Sequence, residues 1–118
     1  MRIWDISPSL LCRQHLLGEH RELHAVWSVI TKNKKGYSKH PETVRWKGKL
    51  KALYVRHQLL VQELKKRSYN HKSDLPINLA HGNKKQNVLI NTISEQIEIL
   101  RKKNCLCFTS LKVEEKIY

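Results

Sequence analysis

Apolar residues recur along this chain at spacings of mainly three, four and seven, and that period restricts it to helices. Leu11, Leu16, Leu23, Val26, Trp27 and Ile30 form one stripe; Leu50, Leu53, Tyr54, His57, Leu60, Val61 and Leu64 form a second. Leu89, Ile90, Ile93, Ile97 and Leu100 form a third. A helix gathers residues three and four apart on one side, so each stripe is a face that has to be buried. The first helix is expected to open at Ser7-Pro8 and run to about Lys32, with Ser7 as N-cap and Pro8 where a missing N–H costs nothing. The second starts between Pro41 and Trp46, with Thr43 a candidate cap. It ends near Arg67, where Lys65, Lys66 and Arg67 suit the negative end of the helix dipole. The third spans about Gln86 to Lys103, with Glu95 and Glu98 on its outer face. A basic loop over residues 33–41 and a polar, irregular stretch over 68–85 join them, punctuated by Gly36, Pro41, Pro76 and Gly82. Phe108, Leu111, Val113 and Ile117 would let the last residues cross back over the core. The predicted fold is all-α: a single compact domain over residues 1–118, of about three helices with long irregular connections.

Before the first helix, Ile3, Trp4 and Ile6 make an extended segment too apolar to be left in water, so it is expected to dock. Gly18 interrupts the first helix, where glycine costs about 1 kcal/mol against alanine. Close approach of another segment, the docked N-terminal tail being one candidate, would account for it.

The net charge of +13 calls for a polyanionic partner. Nucleic acid is the first candidate, an anionic membrane surface the second. No stretch is long and apolar enough to span a bilayer, and Asp5 falls where a signal peptide would need an apolar core. Between Thr31 and Lys72 stand 13 Lys and Arg against only Glu42 and Glu63, interleaved with Tyr37, Trp46, Tyr54 and Tyr69. That pattern fits a surface that tracks phosphates and stacks on bases; the plainer alternative is a solvated helix face with the aromatics in the core. The three cysteines, Cys12, Cys105 and Cys107, fit no zinc or disulfide spacing and read as free thiols in a reducing compartment. His20 and His24 lie one helical turn apart, but no convincing third ligand accompanies them, so no metal and no cofactor are expected.

The N-terminal residues offer a distinct chemistry. An amine that attacks the sugar carbon of a nucleotide displaces the base and leaves an imine, whose neighbouring proton is acidic enough for strand cleavage by elimination. A lysine, at about 10.4, is mostly protonated at neutral pH, whereas an α-amine, at about 7.7–8.0, is already partly free. Arg2 beside it adds positive potential, which lowers an amine pKa and grips phosphate. A methionine followed by arginine is normally retained, so the amine in question is that of Met1. A carboxylate must steer protons and stabilise the cationic sugar. Glu22, flanked by Arg21, and Glu19 one turn away are both candidates, and pattern alone does not separate them. A glutamate in mid-helix is otherwise most often an ion-pair partner.

Arg2-Ile3, Gln14-His15-Leu16 and Glu19-x-Arg21-Glu22-Leu23 resemble, without a gap, the endonuclease V-type pyrimidine dimer DNA glycosylases, the family known from a bacteriophage enzyme. Lys49-Leu50, Leu53, Arg56, Leu60, Glu63, Lys66-Arg67 and Tyr69-Asn70 follow the same pattern. The similarity covers roughly residues 1–30 and 49–70 and fades after His71. It implies a compact helical fold, with Met1 as nucleophile and Glu22 as the acid/base. It further implies DNA contacts from Arg2, His15 and Arg21, and a kinked duplex with a flipped-out adenine. Here Met1 stands where the phage enzyme has threonine. The family's aromatic tail is thin, with only Phe108 and Tyr118. Tyr37, His40, Trp46 and Lys47 therefore become the candidate lesion readers and DNA contacts, with Trp46 equally suited to the core. The implied activity is that of a DNA repair glycosylase with abasic-site lyase activity on ultraviolet-induced cyclobutane pyrimidine dimers. The expected protein is monomeric and cytoplasmic, of bacterial or viral type, with lesion-bearing double-stranded DNA as partner and no membrane. Two other functions fit the same features: an amine-based lyase for another lesion, and a non-catalytic basic nucleic-acid-binding protein.

Overall fold

The computed structural model describes residues 2–69 and 74–103. It is all-α. A 3-10 turn at Pro8–Leu10 leads to α1 (Arg13–Thr31), α2 (Pro41–Trp46) and α3 (Leu50–Lys66); a second 3-10 turn at Ile77–Leu79 precedes α4 (Ile93–Lys102). The described residues contain no strand, and none of their helices is long and apolar enough to cross a membrane.

The core forms where the sequence stripes meet. Leu16, Leu23, Val26 and Trp27 of α1 pack with Ala52, Leu53, Leu60 and Leu64 of α3, with Trp46 of α2 and Leu100 of α4. Full burial of a side chain of this size is worth roughly 1.5–3 kcal/mol. Several expected boundaries move. Ser7-Pro8 opens only the 3-10 turn, and α1 begins at Arg13 after Cys12. The expected second helix is two, broken at Lys47-Gly48-Lys49. Gly48 takes φ +74°, which residues with a Cβ rarely adopt. His40 rather than Thr43 caps α2, its ring nitrogen accepting from the Glu42 N–H at 3.1 Å, while Thr43 is fully buried. No side chain caps α3. The irregular segment after it does so instead: the carbonyls of His81 and Asn83 accept from the N–H groups of Lys51 and Ala52 at 2.8 and 3.1 Å. That approach requires Gly82, because a Cβ there would lie 2.1 Å from the Gly48 carbonyl oxygen.

The third helix is shorter than its apolar stripe. Thr92 and Glu95 make a reciprocal capping box, so α4 begins at Ile93; Leu89 and Ile90 lie before it and are substantially exposed. Glu95 and Glu98 face outward as expected. The expectation that the final stretch recrosses the core concerns residues 104–118, outside the described residues.

Residues 2–6 do dock, and by an unusual means. Ile3, Trp4 and Ile6 are buried, yet among the described residues the segment has no neighbouring strand. A buried backbone must still satisfy its polar groups, and here side chains do it. The Trp4 N–H donates to Glu19 at 3.1 Å and the Asp5 N–H to Gln96 at 2.8 Å. The Ile3 carbonyl accepts from Arg45 at 2.8 Å, and the Ile6 carbonyl from Arg56 at 2.7 Å. Each of those side chains is itself fixed. Arg56 forks onto both oxygens of Glu19 at 2.7 and 2.9 Å. Arg45 pairs with Glu42 and with Asp5.

Candidate active site

Gln14, His15, Gly18, Glu19 and Glu22 occupy one side of α1, because their spacings of three, four and seven return to the same face of a helix. With Arg2 and Trp4 of the docked segment, and Lys103 just after α4, they line a cleft of about 220 Å³. The Arg2 guanidinium lies over the Trp4 ring, 4.7 Å from its centre, and donates to the Asn91 side chain at 2.7 Å. Trp4 in turn meets His15 edge-on, the ring centres 6.1 Å apart. The position of Arg2 is thus set from two sides. Gly18 is the open middle of this face: among the described residues, nothing lies within 4 Å of where its Cβ would be. The expected close approach of a packed segment is therefore not found, and the missing side chain widens the cleft instead.

Structure separates the two glutamates that spacing could not. Glu19 is 2% exposed and bound on both oxygens. Burial pushes its carboxyl up, against the opposing pull of Arg56 and the Trp4 N–H. It is spent on holding the N-terminal segment. Glu22 is only partly covered and faces the cleft. His15 lies 3.1 Å from the Cys12 sulfur through Nδ1. Desolvation, and then the positive charge of Lys103, push the His15 pKa below its ordinary 6.5, so the neutral ring is favoured. Sequence pattern carries no sign that Lys103 belongs here. It reads only as a cation near a helix end, and its place in the cleft depends on how α4 packs.

The remaining expected residues separate. Met1 lies outside the described residues. Arg21 is exposed beside Glu22, and Lys47 is exposed. Tyr37 is 66% exposed in a left-handed backbone conformation, its ring centre 6.4 Å from that of His40. Trp46 does not fit the role of base reader: it is 2% exposed, and its indole N–H donates to Glu42 at 3.1 Å. Tyr54 and Tyr69 also pack on the core. Of the aromatics interleaved with the basic stretch, Tyr37 alone is largely exposed. The charge count thins in the same way, since Arg45 and Arg56 are interior ion-pair partners. One cluster escapes sequence spacing altogether: His57 of α3 supplies the third imidazole beside His20 and His24.

Fold and cleft together define a small, basic, all-helical protein that presents its N-terminal segment beside a carboxylate, an imidazole and two cationic side chains. The profile of the pyrimidine dimer DNA glycosylase family matches residues 1–76, and the chain belongs to that family. Comparison with curated proteins and with solved structures finds no match.

Proposed function

We propose that the protein is a DNA glycosylase with associated abasic-site lyase activity on cyclobutane pyrimidine dimers. The observation that carries this is the docking of residues 2–6, which brings Arg2 to the cleft lined by Glu22 and His15. The α-amine of Met1, one residue away, attacks C1′ of the damaged nucleotide. The glycosidic bond breaks with its electron pair leaving on the base; the amine nitrogen then loses its protons as the C1′–O4′ bond opens, its electron pair and a proton going to O4′, and this gives the ring-opened imine. Removal of the C2′ proton then expels the 3′ phosphate by β-elimination. The α-amine needs little help to be neutral at pH 7, and the Arg2 guanidinium beside it supplies that help. Glu22 is suited to protonate the departing group, stabilise the cationic sugar and take up the C2′ proton. Arg2 and Arg21 hold the flanking phosphates. Neutral His15 serves as a hydrogen-bonding group. Tyr37, His40 and Lys47 extend the contact to DNA.

The deciding experiment is borohydride reduction during reaction with a duplex carrying one defined dimer. Trapping at the N-terminus is expected, with loss of both trapping and cleavage when that amine is acetylated. Lys103 is the second amine on the cleft. If acetylated protein still cleaves and Lys103→Ala does not, the nucleophile is Lys103. If the unmodified protein traps an abasic duplex but not a dimer, the lesion assignment fails.

A further inference from the structure

We propose that His20, His24 and His57 form a binding site for a divalent transition-metal ion of the zinc class, joining α1 to α3. The inference is independent of the nucleophile and of the lesion.

His20 and His24, at a spacing of four, project from one side of α1, and His57 comes from α3, where it is completely buried. The three rings converge on one point. His57 Nε2 lies 3.2 Å from His20 Nε2 and 3.1 Å from His24 Nε2, and all three ligand atoms fall within 4.8 Å of one another. In a tetrahedral site with metal–nitrogen bonds of about 2.0–2.1 Å, ligand nitrogens stand about 3.3 Å apart. Two edges already have nearly that length, and a small rotation of the partly exposed α1 rings sets the third.

Hydrogen bonding alone explains the arrangement less well. One ring nitrogen carries either a proton or a lone pair, so it makes one linear hydrogen bond. Here two imidazole nitrogens approach the same Nε2. An ion in the centre accepts all three lone pairs. The far side of His57 is suited to ligation, since its Nδ1 lies 2.8 Å from the Gln58 Oε1. An amide oxygen accepts the Nδ1 proton, which leaves the lone pair on Nε2. This is the outer support that metal-binding histidines characteristically have.

Donor chemistry selects the ion. Three imidazoles suit zinc, copper, nickel or cobalt, whereas magnesium and calcium need oxygen ligands. Three protein ligands leave a fourth position for water. His24 also borders a second cleft, of about 470 Å³, with Trp27, Thr31, Asp74 and Leu79 among its lining residues, which gives an entry path.

The site is not the catalytic one. His20 and His24 each lie two residues from Glu22, which puts them about 160–200° around the helix from it. The ion instead reinforces a joint that is already present, because His20 and His57 directly follow Glu19 and Arg56 in sequence. Its predicted effect is on the stability of the α1–α3 packing, with the metal-free chain still able to cleave.

The test uses the untagged full-length chain, freed of metal by chelator and titrated with Co²⁺. One equivalent should produce visible d–d bands of a low-symmetry, four- or five-coordinate ion, displaced by Zn²⁺, and Zn²⁺ should raise the thermal midpoint by several degrees. His20→Asn and His24→Asn, at partly exposed positions, should each weaken Co²⁺ binding at least tenfold and abolish the midpoint shift. Absence of a band at excess Co²⁺ overturns the proposal. So does unchanged binding in the doubly substituted chain, or a thiolate-to-cobalt charge-transfer band, which would move the ion to the cysteines.

Discussion

Arg56→Met is the perturbation that most directly probes how the N-terminal segment is held. It removes three donors, two on Glu19 and one on the Ile6 carbonyl. Among the described residues, the fully buried Glu19 side chain then keeps only the Trp4 N–H. Breaking a buried pair by deleting one partner costs about 3–5 kcal/mol. Against a total of about 5–15 kcal/mol, that is a large fraction. At roughly 4 °C per kcal/mol for a chain of this length, the midpoint should fall by about 12–20 °C. Glu19→Leu combined with Arg56→Met removes both charges. It should recover part of the loss, short of wild type because the Trp4 N–H and Ile6 carbonyl each forfeit a partner at about 1–3 kcal/mol. The deficit of Arg56→Met also depends on pH. Without Arg56, the Glu19 carboxyl, already pushed up by burial, rises further. A carboxyl raised in the folded state contributes stability below its unfolded pKa and loses it as pH rises through the folded one. The single variant should therefore suffer least in acid and progressively more as pH rises. Urea unfolding followed by far-ultraviolet circular dichroism, at constant slope, measures all of this. A loss below about 1 kcal/mol for the single variant, or a double variant less stable than the single, would refute the account.

Glu22→Gln should fold with an unchanged midpoint, bind lesion duplex as wild type or tighter, and lose strand cleavage by at least about 100-fold, the scale of acid–base catalysis; an active variant removes Glu22 from the mechanism. Arg2→Ala and Arg21→Ala should each reduce the log–log salt slope of DNA binding by about one unit, and an unchanged slope in both would make them structural residues. Folding holds the His15 pKa below 6.5, so its contribution to stability is full above that pH and is lost as pH falls toward the folded value; His15→Gln should flatten the urea midpoint against pH as pH falls below 6.5, and parallel curves would contradict this. Tyr37→Ala should lower the ratio of dimer to abasic-site cleavage while leaving the thermal midpoint within about 2 °C, as expected for an exposed ring; an unaltered ratio would move lesion reading elsewhere.

The helices are legible in the sequence because burial is periodic, and the core stripes of α1 and α3 fall where spacing puts them. What does not show there is set by contacts distant in sequence, or by local signals that compete with the period. Leu89 and Ile90 continue the period of α4, but the Thr92–Glu95 capping box starts the helix after them, a local signal that outweighs periodicity. Trp46 sits in a basic stretch where either role suits it; the buried Glu42 carboxylate that accepts its N–H decides for the core. Arg45 and Arg56 look in sequence like any other cations of that stretch, because Arg56's partner Glu19 lies 37 residues away and Arg45, besides the nearby Glu42, has its second acidic partner Asp5 40 residues away. His57 falls within an apolar stripe and looks like one more member of it. Its relation to His20 and His24 exists only once α1 and α3 pack.

The N-terminal nucleophile proposed for this chain places a particular demand on the fold, since termini fray unless something holds them. Sheet hydrogen bonding is the usual anchor for an extended segment, and an all-helical protein lacks it. This chain instead places Glu19, Arg45, Arg56 and Gln96 in its interior, each bonded to the backbone of residues 3–6. Buried ion pairs are poor sources of net stability, often replaceable by apolar residues without loss. Their concentration around one short segment is therefore better explained by position than by energy. Directional hydrogen bonds fix where a backbone lies, as greasy contacts from Ile3 and Ile6 alone cannot. On the proposed mechanism, small displacements here change the distance from amine to sugar carbon, to which rates are steeply sensitive. Variants of this network should accordingly lose cleavage even at temperatures where they remain folded, with the double Glu19→Leu, Arg56→Met chain recovering part of the stability but not the rate.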